Sequence, residues 1–139
     1  MKSSQRGFTL IELVVVMVIV AILTAIAFPA YQSQQRKGSR VAAQALLVNI
    51  ANRQAQYLLD ARNYAVGPGA LGALNVSLPG EVAPFYTVAV ENAAGGTVPS
   101  TPPSFLIIAT PIAGTRQEGD GELRLGHDGT KSRGGHPGW

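Results

Sequence analysis

Apolar side chains dominate the start of the chain and predict a membrane-spanning helix. Residues 13–23 are all apolar. The longer stretch, residues 8–28, contains three polar side chains: Thr9, Glu12 and Thr24. Twenty-one helical residues rise about 30 Å, which is the hydrocarbon thickness of a bilayer. Because Lys2 and Arg6 precede this stretch, the positive-inside rule places the N-terminus in the cytoplasm and the rest of the chain across the membrane.

A second helical pattern follows and is amphipathic. Residues 32–62 contain no proline and one glycine, Gly38. Apolar residues recur there at spacings of three, four and seven: Ala43, Leu47, Ile50, Tyr57, Leu58 and Ala61. This spacing predicts a stripe that faces a core. Pro29 stands between the two patterns, where it either ends the first helix or bends one continuous helix.

The remainder of the chain is typical of a small antiparallel sheet. Residues 63–80 contain four glycines and two prolines and predict a loop. Alternating or β-rich runs then predict strands at residues 85–90, 104–110 and 122–125, and a short edge at 131–133 after the Asp128-Gly129 turn. The predicted fold class is α+β: one long N-terminal helix, hydrophobic in its first half and amphipathic in its second, packed on three or four antiparallel strands.

The amino-acid composition excludes some classes of function. The sequence has no cysteine, which excludes disulfides and thiolate metal sites. The formal charge is +3, but without Lys2 and Arg6 nine cationic side chains remain against eight acidic ones. A generally basic nucleic-acid binder is therefore poorly supported, because affinity for phosphates needs several clustered cations.

Glu12 is the residue that a plain membrane helix does not explain. A carboxylate inside such a segment costs about 2.5–3.5 kcal/mol on insertion scales, and charges in membranes are usually paired or functional. Two simpler interpretations leave it without a role. One is a secretory signal cleaved at the small-x-small sequence of residues 25–27, and the other is a single-span anchor.

The run Gly7-Phe8-Thr9-Leu10-Ile11-Glu12 resembles the processing site of the type IV pilin family, which includes the type II secretion pseudopilins. The resemblance implies cleavage between Gly7 and Phe8 by a prepilin peptidase on the cytoplasmic side and N-methylation of Phe8. It divides the chain into a leader (residues 1–7), a hydrophobic membrane and filament-core helix (residues 8–29) and a globular α/β pilin head (residues 30–139).

The same resemblance implies partners and a role for Glu12. Cleavage creates an amine at Phe8, and the Glu12 carboxylate lies one helical turn away from it or opposite the amine of a neighbouring subunit. Opposite charges attract strongly in a medium of low dielectric constant, so their pairing would specify the register of assembly. The resemblance thus implies that Glu12 and Thr9 are assembly residues and that Pro29 kinks a continuous helix. The implied partners are other pilin subunits, the peptidase and methylase, and the inner-membrane assembly platform. The implied location is the inner membrane before assembly and the extracellular pilus afterwards.

The C-terminal third resembles minor type IVa pilins of the PilE-like group. The resemblance rests on residues 109–111, 121–125 and 128–131 and on the final Gly138-Trp139. Gly121 and Gly138 stand where that group has cysteines, so the loop-closing disulfide is absent. We expect a looser tail than in that group unless Trp139 docks on the sheet.

No pattern of residues predicts catalysis, a cofactor or a metal. His127 and His136 lack the further convergent ligands of a zinc site. Ser132 has no nucleophile motif, and the turn glycines do not form a phosphate cradle. The chain is expected to be the substrate of an enzyme and not an enzyme.

Three functions stay open on the sequence. The preferred one is a structural subunit, a minor pilin, of a type IV pilus. The first alternative is a type II secretion pseudopilin. The second is a DNA receptor at the pilus tip for natural transformation, whose candidate contacts are four cations of the C-terminal third: Arg116, Arg124, Lys131 and Arg133. Acidic residues alternate with these cations along the chain and weaken this alternative. Binding of single-stranded DNA by base stacking would also require more aromatic side chains than Trp139.

Overall fold

A computed structural model describes residues 7–139, so the expected leader residues 1–6, with Lys2 and Arg6, lie outside it. Helix α1 extends over Leu10–Ala61, and a four-residue helix α2 over Ala70–Ala73. Five strands follow: β1 (Tyr86–Glu91), β2 (Leu106–Pro111), β3 (Leu123–Gly126), β4 (Lys131–Arg133) and β5 (His136–Pro137). The chain forms two compact units, one up to Gln35 and the other Arg36–Trp139. The second unit begins six residues later than the head expected from the sequence, and we call this unit the head.

Helix α1 continues through Pro29. Proline has no N–H to donate, so the helix loses the hydrogen bond to the carbonyl of Ala25 without ending there. Of the two possibilities that the sequence left open, continuation is the one observed. The helix is also long enough, and apolar enough near the N-terminus, to cross a membrane.

The sheet is an antiparallel meander in the order β1-β2-β3-β4-β5. Its register pairs Val88 with Ala109 and Leu123 with both Ala109 and Arg133. Because directly paired residues point to the same face, the buried residues of β1, β2 and β3 form one continuous apolar surface.

That apolar face meets α1 in the core of the head. The helix contributes Ala43, Leu46, Leu47 and Ile50, and the sheet contributes Tyr86, Val90, Ile107, Ala109, Leu123 and Leu125. The stripe predicted from residues 43, 47 and 50 is therefore confirmed as the core-facing side. Tyr57 and Leu58 are half-buried, whereas Ala61, at the end of the helix, is exposed.

The α+β class and the long helix are confirmed, and the structure adds two short elements. The fifth strand, β5, pairs with β4 at the sheet edge. Helix α2 forms one turn inside the expected loop 63–80. The tail docks as well: Trp139 is half-buried, and its Nε1 donates to the carbonyl of Arg124 at 3.2 Å. Docking of Trp139 removes the ground for expecting a loose tail.

Candidate functional site

The expected processing site lies just before α1. Gly7, Phe8 and Thr9 have no regular secondary structure, and the Phe8 side chain is 85% exposed. The Thr9 Oγ1 accepts a hydrogen bond from the Glu12 N–H at 3.3 Å, and the Thr9 carbonyl accepts one from the Leu13 N–H at 3.3 Å. Thr9 is therefore the N-cap of α1, and the Gly7–Phe8 bond precedes the helix.

Glu12 is the third residue of α1 and is exposed. Thr9 and Glu12 have the spacing of a capping box, in which a Thr at the cap is followed three positions later by Glu. A carboxylate in the first turn also interacts favourably with the partial positive charge of the helix N-terminus. Sequence reasoning assigned both residues to assembly and missed this local role, although the Thr-x-x-Glu spacing is a readable signal for it.

The apolar part of α1 in the first unit is uncovered within the described residues 7–139. Its large side chains from Leu10 to Tyr31 are exposed, as is Phe8 just before the helix. Monomeric soluble proteins rarely expose an apolar surface of this extent. Lipid or the equivalent helices of other subunits would remove it from water.

The head brings two of its four candidate cations together. Lys131 and Arg133 lie on β4, both exposed, and alternation along the strand directs them to the same face. Arg124 lies opposite Ser132 on the neighbouring strand, so it belongs to the other face of the sheet. Arg124 also forms an ion pair with Glu122, which compensates its charge.

Arg116 lies outside the strands. It belongs to the β2–β3 connection, residues 112–122, where its guanidinium lies 4.0 Å from the centre of the Phe85 ring. Its Nη2 donates to the Ser39 Oγ on α1 at 2.8 Å. Arg116 therefore fastens this connection to the helix, and the four cations do not form one surface.

Lys131 has an aromatic neighbour. Its Nζ lies 4.4 Å from the centre of the Trp139 ring, a cation–π contact. We call the two exposed cations of β4, Lys131 and Arg133, together with the Trp139 ring beside Lys131, the β4 patch.

A buried polar cluster, which sequence reasoning missed, connects α1 to the β2–β3 connection. The Arg40 Nε donates to the Asp120 Oδ2 at 2.8 Å, and the Tyr86 hydroxyl donates to the same oxygen at 2.8 Å. The Gln117 Nε2 donates to the Tyr86 oxygen at 2.8 Å and to the Arg36 carbonyl at 3.1 Å. Tyr86 and Gln117 are fully buried.

The cluster shifts the titration of its members. Burial raises the pKa of Asp120, but hydrogen bonds from Arg40 and Tyr86 outweigh it, so this pKa lies below its ordinary value. Burial, together with the hydrogen bond to Asp120, raises the pKa of Tyr86 to about 12. The hydrogen bond that Arg40 itself donates to Asp120 raises the pKa of Arg40. The cluster therefore exists as an ion pair with a neutral phenol at neutral pH.

Across residues 7–139, no three His, Asp or Glu side chains come close enough together to bind a metal ion. The polar cluster contains one carboxylate with its partners already in place, and its role in the described structure is to hold the connection on the helix.

Two family models match the chain in succession. The first, described as "Prokaryotic N-terminal methylation motif", matches residues 2–28, which include Gly7, Phe8 and Glu12. The second, described as "Type IV minor pilin ComP, DNA uptake sequence receptor", matches residues 29–122, more than half of the chain. The chain belongs to the ComP family of type IV minor pilins.

Relatives of this minor pilin include a fimbrial and a secretion protein. The fimbrial protein of Neisseria meningitidis serogroup B (strain ATCC BAA-335 / MC58) is 36% identical over 93 residues, 66% of this chain and 52% of that protein. The type II secretion system core protein G of Dickeya chrysanthemi is 34% identical over 74 residues, 53% of this chain and 48% of that protein.

A third relative resembles the minor pilin mainly in a short segment. The prepilin peptidase-dependent protein D of Escherichia coli (strain K12) is 66% identical over 37 residues, 27% of this chain and 25% of that protein. These matches span about half or less of the length of each curated relative. The assignment of this chain to its family therefore rests on the second family model. Pilins are structural subunits.

Proposed function

We propose that this minor pilin is made as a membrane precursor, cut between Gly7 and Phe8, methylated at Phe8 and assembled into a type IV pilus. The observation that carries this proposal is the match of residues 2–28 to a methylation motif whose Gly7–Phe8 bond is exposed and non-helical. The uncovered apolar helix supports the same function because it needs lipid before assembly and other subunits afterwards.

The proposal includes a topology and a set of partners. The precursor spans the inner membrane once, with residues 1–7 in the cytoplasm and the head on the other side, as the positive-inside rule indicates. The assembly platform extracts it, and neighbouring pilins pack around residues 8–29. Glu12 then pairs with a Phe8 amine, and Pro29 gives the core helix its bend.

Peptide mapping of the mature protein tests this function. We expect the N-terminal peptide to begin at Phe8 and to carry one additional methyl group on its amine. A peptide that begins near Phe28 would instead identify a cleaved secretory signal, and an intact leader would identify a plain anchor. The location of the mature protein distinguishes the two filament functions. Its presence in sheared pilus fractions would support the pilus, and its absence there would support the type II secretion alternative.

A second function, DNA reception, is favoured by the description of the family model over residues 29–122. We propose the β4 patch as its contact surface because Lys131 and Arg133 lie on the same face of the sheet. Among residues 7–139, neither of these two cations has an acidic group within 4.0 Å of it. Arg116 and Arg124 are weaker candidates, since Ser39 and Glu122 already bind them.

Fluorescence anisotropy with duplex DNA and the detergent-solubilised protein tests this second function. Replacing Lys131 and Arg133 with alanine should weaken binding at least tenfold at low salt and reduce the slope of log affinity against log salt by about two. The matched control replaces Lys37 and Arg53, two exposed cations of α1, and removes the same charge. Equal losses in both variants would contradict the β4 patch, and no binding at low salt would remove the DNA function.

A further inference from the structure

The start of α1 is fixed by a side chain, and it lies two residues after the bond that the proposed function cuts. Gly7, Phe8 and Thr9 are non-helical, and the helix begins at Leu10. The Thr9 Oγ1 accepts from the Glu12 N–H at 3.3 Å. Among residues 7–139, no other side chain accepts a hydrogen bond from the first turn of α1.

The Glu12 N–H bonded to Thr9 is the donor that the helix would need in order to grow. In an α-helix each N–H donates to the carbonyl four residues before it. Growth by one residue would give the Glu12 N–H to the Phe8 carbonyl, and growth by a second would give the Ile11 N–H to the Gly7 carbonyl. The Thr9 hydroxyl competes with the first of these steps and thereby opposes the second.

Loss of the cap favours such growth. Without the Thr9 oxygen the Glu12 N–H has no partner at the helix start, and one further residue of helix would give it the Phe8 carbonyl. Gly7, Phe8 and Thr9 are all exposed, so no packing against the described chain opposes a helical conformation there. Thr9 is therefore the local feature that determines where the helix starts.

Helix growth would involve the carbonyl at which the chain is cut. In hydrolysis, water adds to the Gly7 carbonyl carbon, the bond to the Phe8 nitrogen breaks, and the products are a carboxylate on Gly7 and a protonated amine on Phe8. A Gly7 carbonyl bonded to the Ile11 N–H lies inside a helical turn. Cleavage rates follow the population of the open form when opening is fast.

We propose that Thr9 is a positioning residue for prepilin processing: its hydroxyl ends the helix at Leu10 and holds the Gly7–Phe8 bond in the non-helical form that the peptidase cuts. This inference rests on the proposed processing and deepens it. It gives Thr9 a function in the precursor, before any contact between subunits, in addition to its proposed role in assembly.

Two matched pairs of precursors isolate the hydroxyl oxygen. Thr9→Val keeps the shape of threonine and removes the acceptor, while Thr9→Ser and Thr9→Ala differ from one another in the hydroxyl alone. We expect purified prepilin peptidase to cleave full-length Thr9→Val precursor in detergent with a kcat/KM about fivefold below wild type. Thr9→Ser should stay within about twofold of wild type, and Thr9→Ala should be about fivefold below Thr9→Ser.

A spectroscopic measurement separates positioning from direct recognition of the side chain. The backbone ¹³C shifts of Gly7 and Phe8 in the uncut precursor should move towards helical values in Thr9→Val and not in Thr9→Ser. Equal cleavage rates within both pairs, or unchanged shifts in Thr9→Val, would overturn the inference. A wild-type precursor cut at another bond would overturn the proposed processing as well, whereas equal rates at Gly7–Phe8 would leave that processing intact.

Discussion

At the scale of single residues, the stretch from Gly7 to Glu12 concentrates three requirements in six positions. Gly7 belongs to the proposed cleavage bond, Thr9 begins the helix, and Glu12 places a charge at the edge of an apolar segment. A Cβ added to Gly7 would meet no atom within 4 Å. The described structure therefore leaves room for a side chain at Gly7, so we expect a requirement for glycine there to come from the enzyme of the proposed processing.

If the processing enzyme requires glycine at position 7, a Gly7 variant should fail in cleavage and not in folding. Gly7→Leu should leave uncleaved precursor in the membrane because a bulky side chain precedes the bond to be cut. The helix content of the same variant, measured by circular dichroism in detergent, should equal that of wild type. Normal cleavage of Gly7→Leu, seen on immunoblots, would contradict the assignment of the site.

Variants of Glu12 separate its charge from its position in the capping box. Glu12→Val and Glu12→Gln should both be cleaved normally. Incorporation into sheared pili should fall about tenfold in each, because an amine that loses its charged partner in apolar surroundings is strongly unfavourable. Glutamine serves in a capping box, so wild-type incorporation of Glu12→Gln would show that hydrogen bonding, and not charge, determines assembly.

At the scale of elements, the β2–β3 connection is held on α1 by polar contacts. Arg40 and Asp120 are separated by 80 residues in sequence, and Arg116 reaches Ser39 across a similar separation. Such pairs depend on the tertiary fold, which explains why the sequence did not reveal them. The alternation in residues 85–90 and the apolar stripe at Ala43, Leu47 and Ile50 did predict β1 and the buried side of α1, because each pattern is local.

Other features at this scale could not be predicted from one sequence, and the structure shows why. Helix α2 is one turn long, too short to show a period, and β5 contains two residues of which one is proline. The placement of Arg124 on the opposite face from Lys131 follows from the register of β3 with β4. A shift of one residue in that register would have reversed it.

The Arg40–Asp120 pair should contribute measurably to the stability of the head. Asp120→Asn leaves the Arg40 guanidinium without its counter-charge and should lower the free energy of unfolding by about 2 kcal/mol, between the values for exposed and buried pairs. Urea unfolding of the detergent-solubilised protein measures this change. The control Asp60→Asn makes the same chemical change at an exposed position of α1 and should alter stability by less than about 0.5 kcal/mol.

At the scale of the whole molecule, the chain consists of an N-terminal unit with an apolar surface and a head with its own apolar core. The first unit exposes its apolar side chains, and the head buries Leu47, Ile107 and Leu123 completely. The stability of the head therefore depends on its core and polar cluster, and it should respond to pH through Asp120 and Tyr86.

The direction of each pH response follows from the pKa shifts. The pKa of Asp120 is lowered by folding, so its contribution is complete above about pH 4 and is lost as pH falls through the folded pKa. The pKa of Tyr86 is raised to about 12, so its contribution is complete below about pH 10 and is lost as pH rises towards 12. Thermal melts of wild type should show both losses.

Two variants check the assignment of these losses. Asp120→Asn should flatten the acid side of the stability profile and leave much of the alkaline side. Tyr86→Phe should flatten the alkaline side. Unchanged profiles in both variants would show that other groups control the response of the head to pH.

The docking of Trp139 has a consequence for the environments in which the pilin keeps its shape. Its indole N–H reaches the Arg124 carbonyl, and the ring lies against Lys131, so the end of the chain is fastened without sulfur chemistry. Glutathione or dithiothreitol should therefore leave the melting temperature unchanged. A head fastened in this way contains no disulfide that a reducing compartment could break.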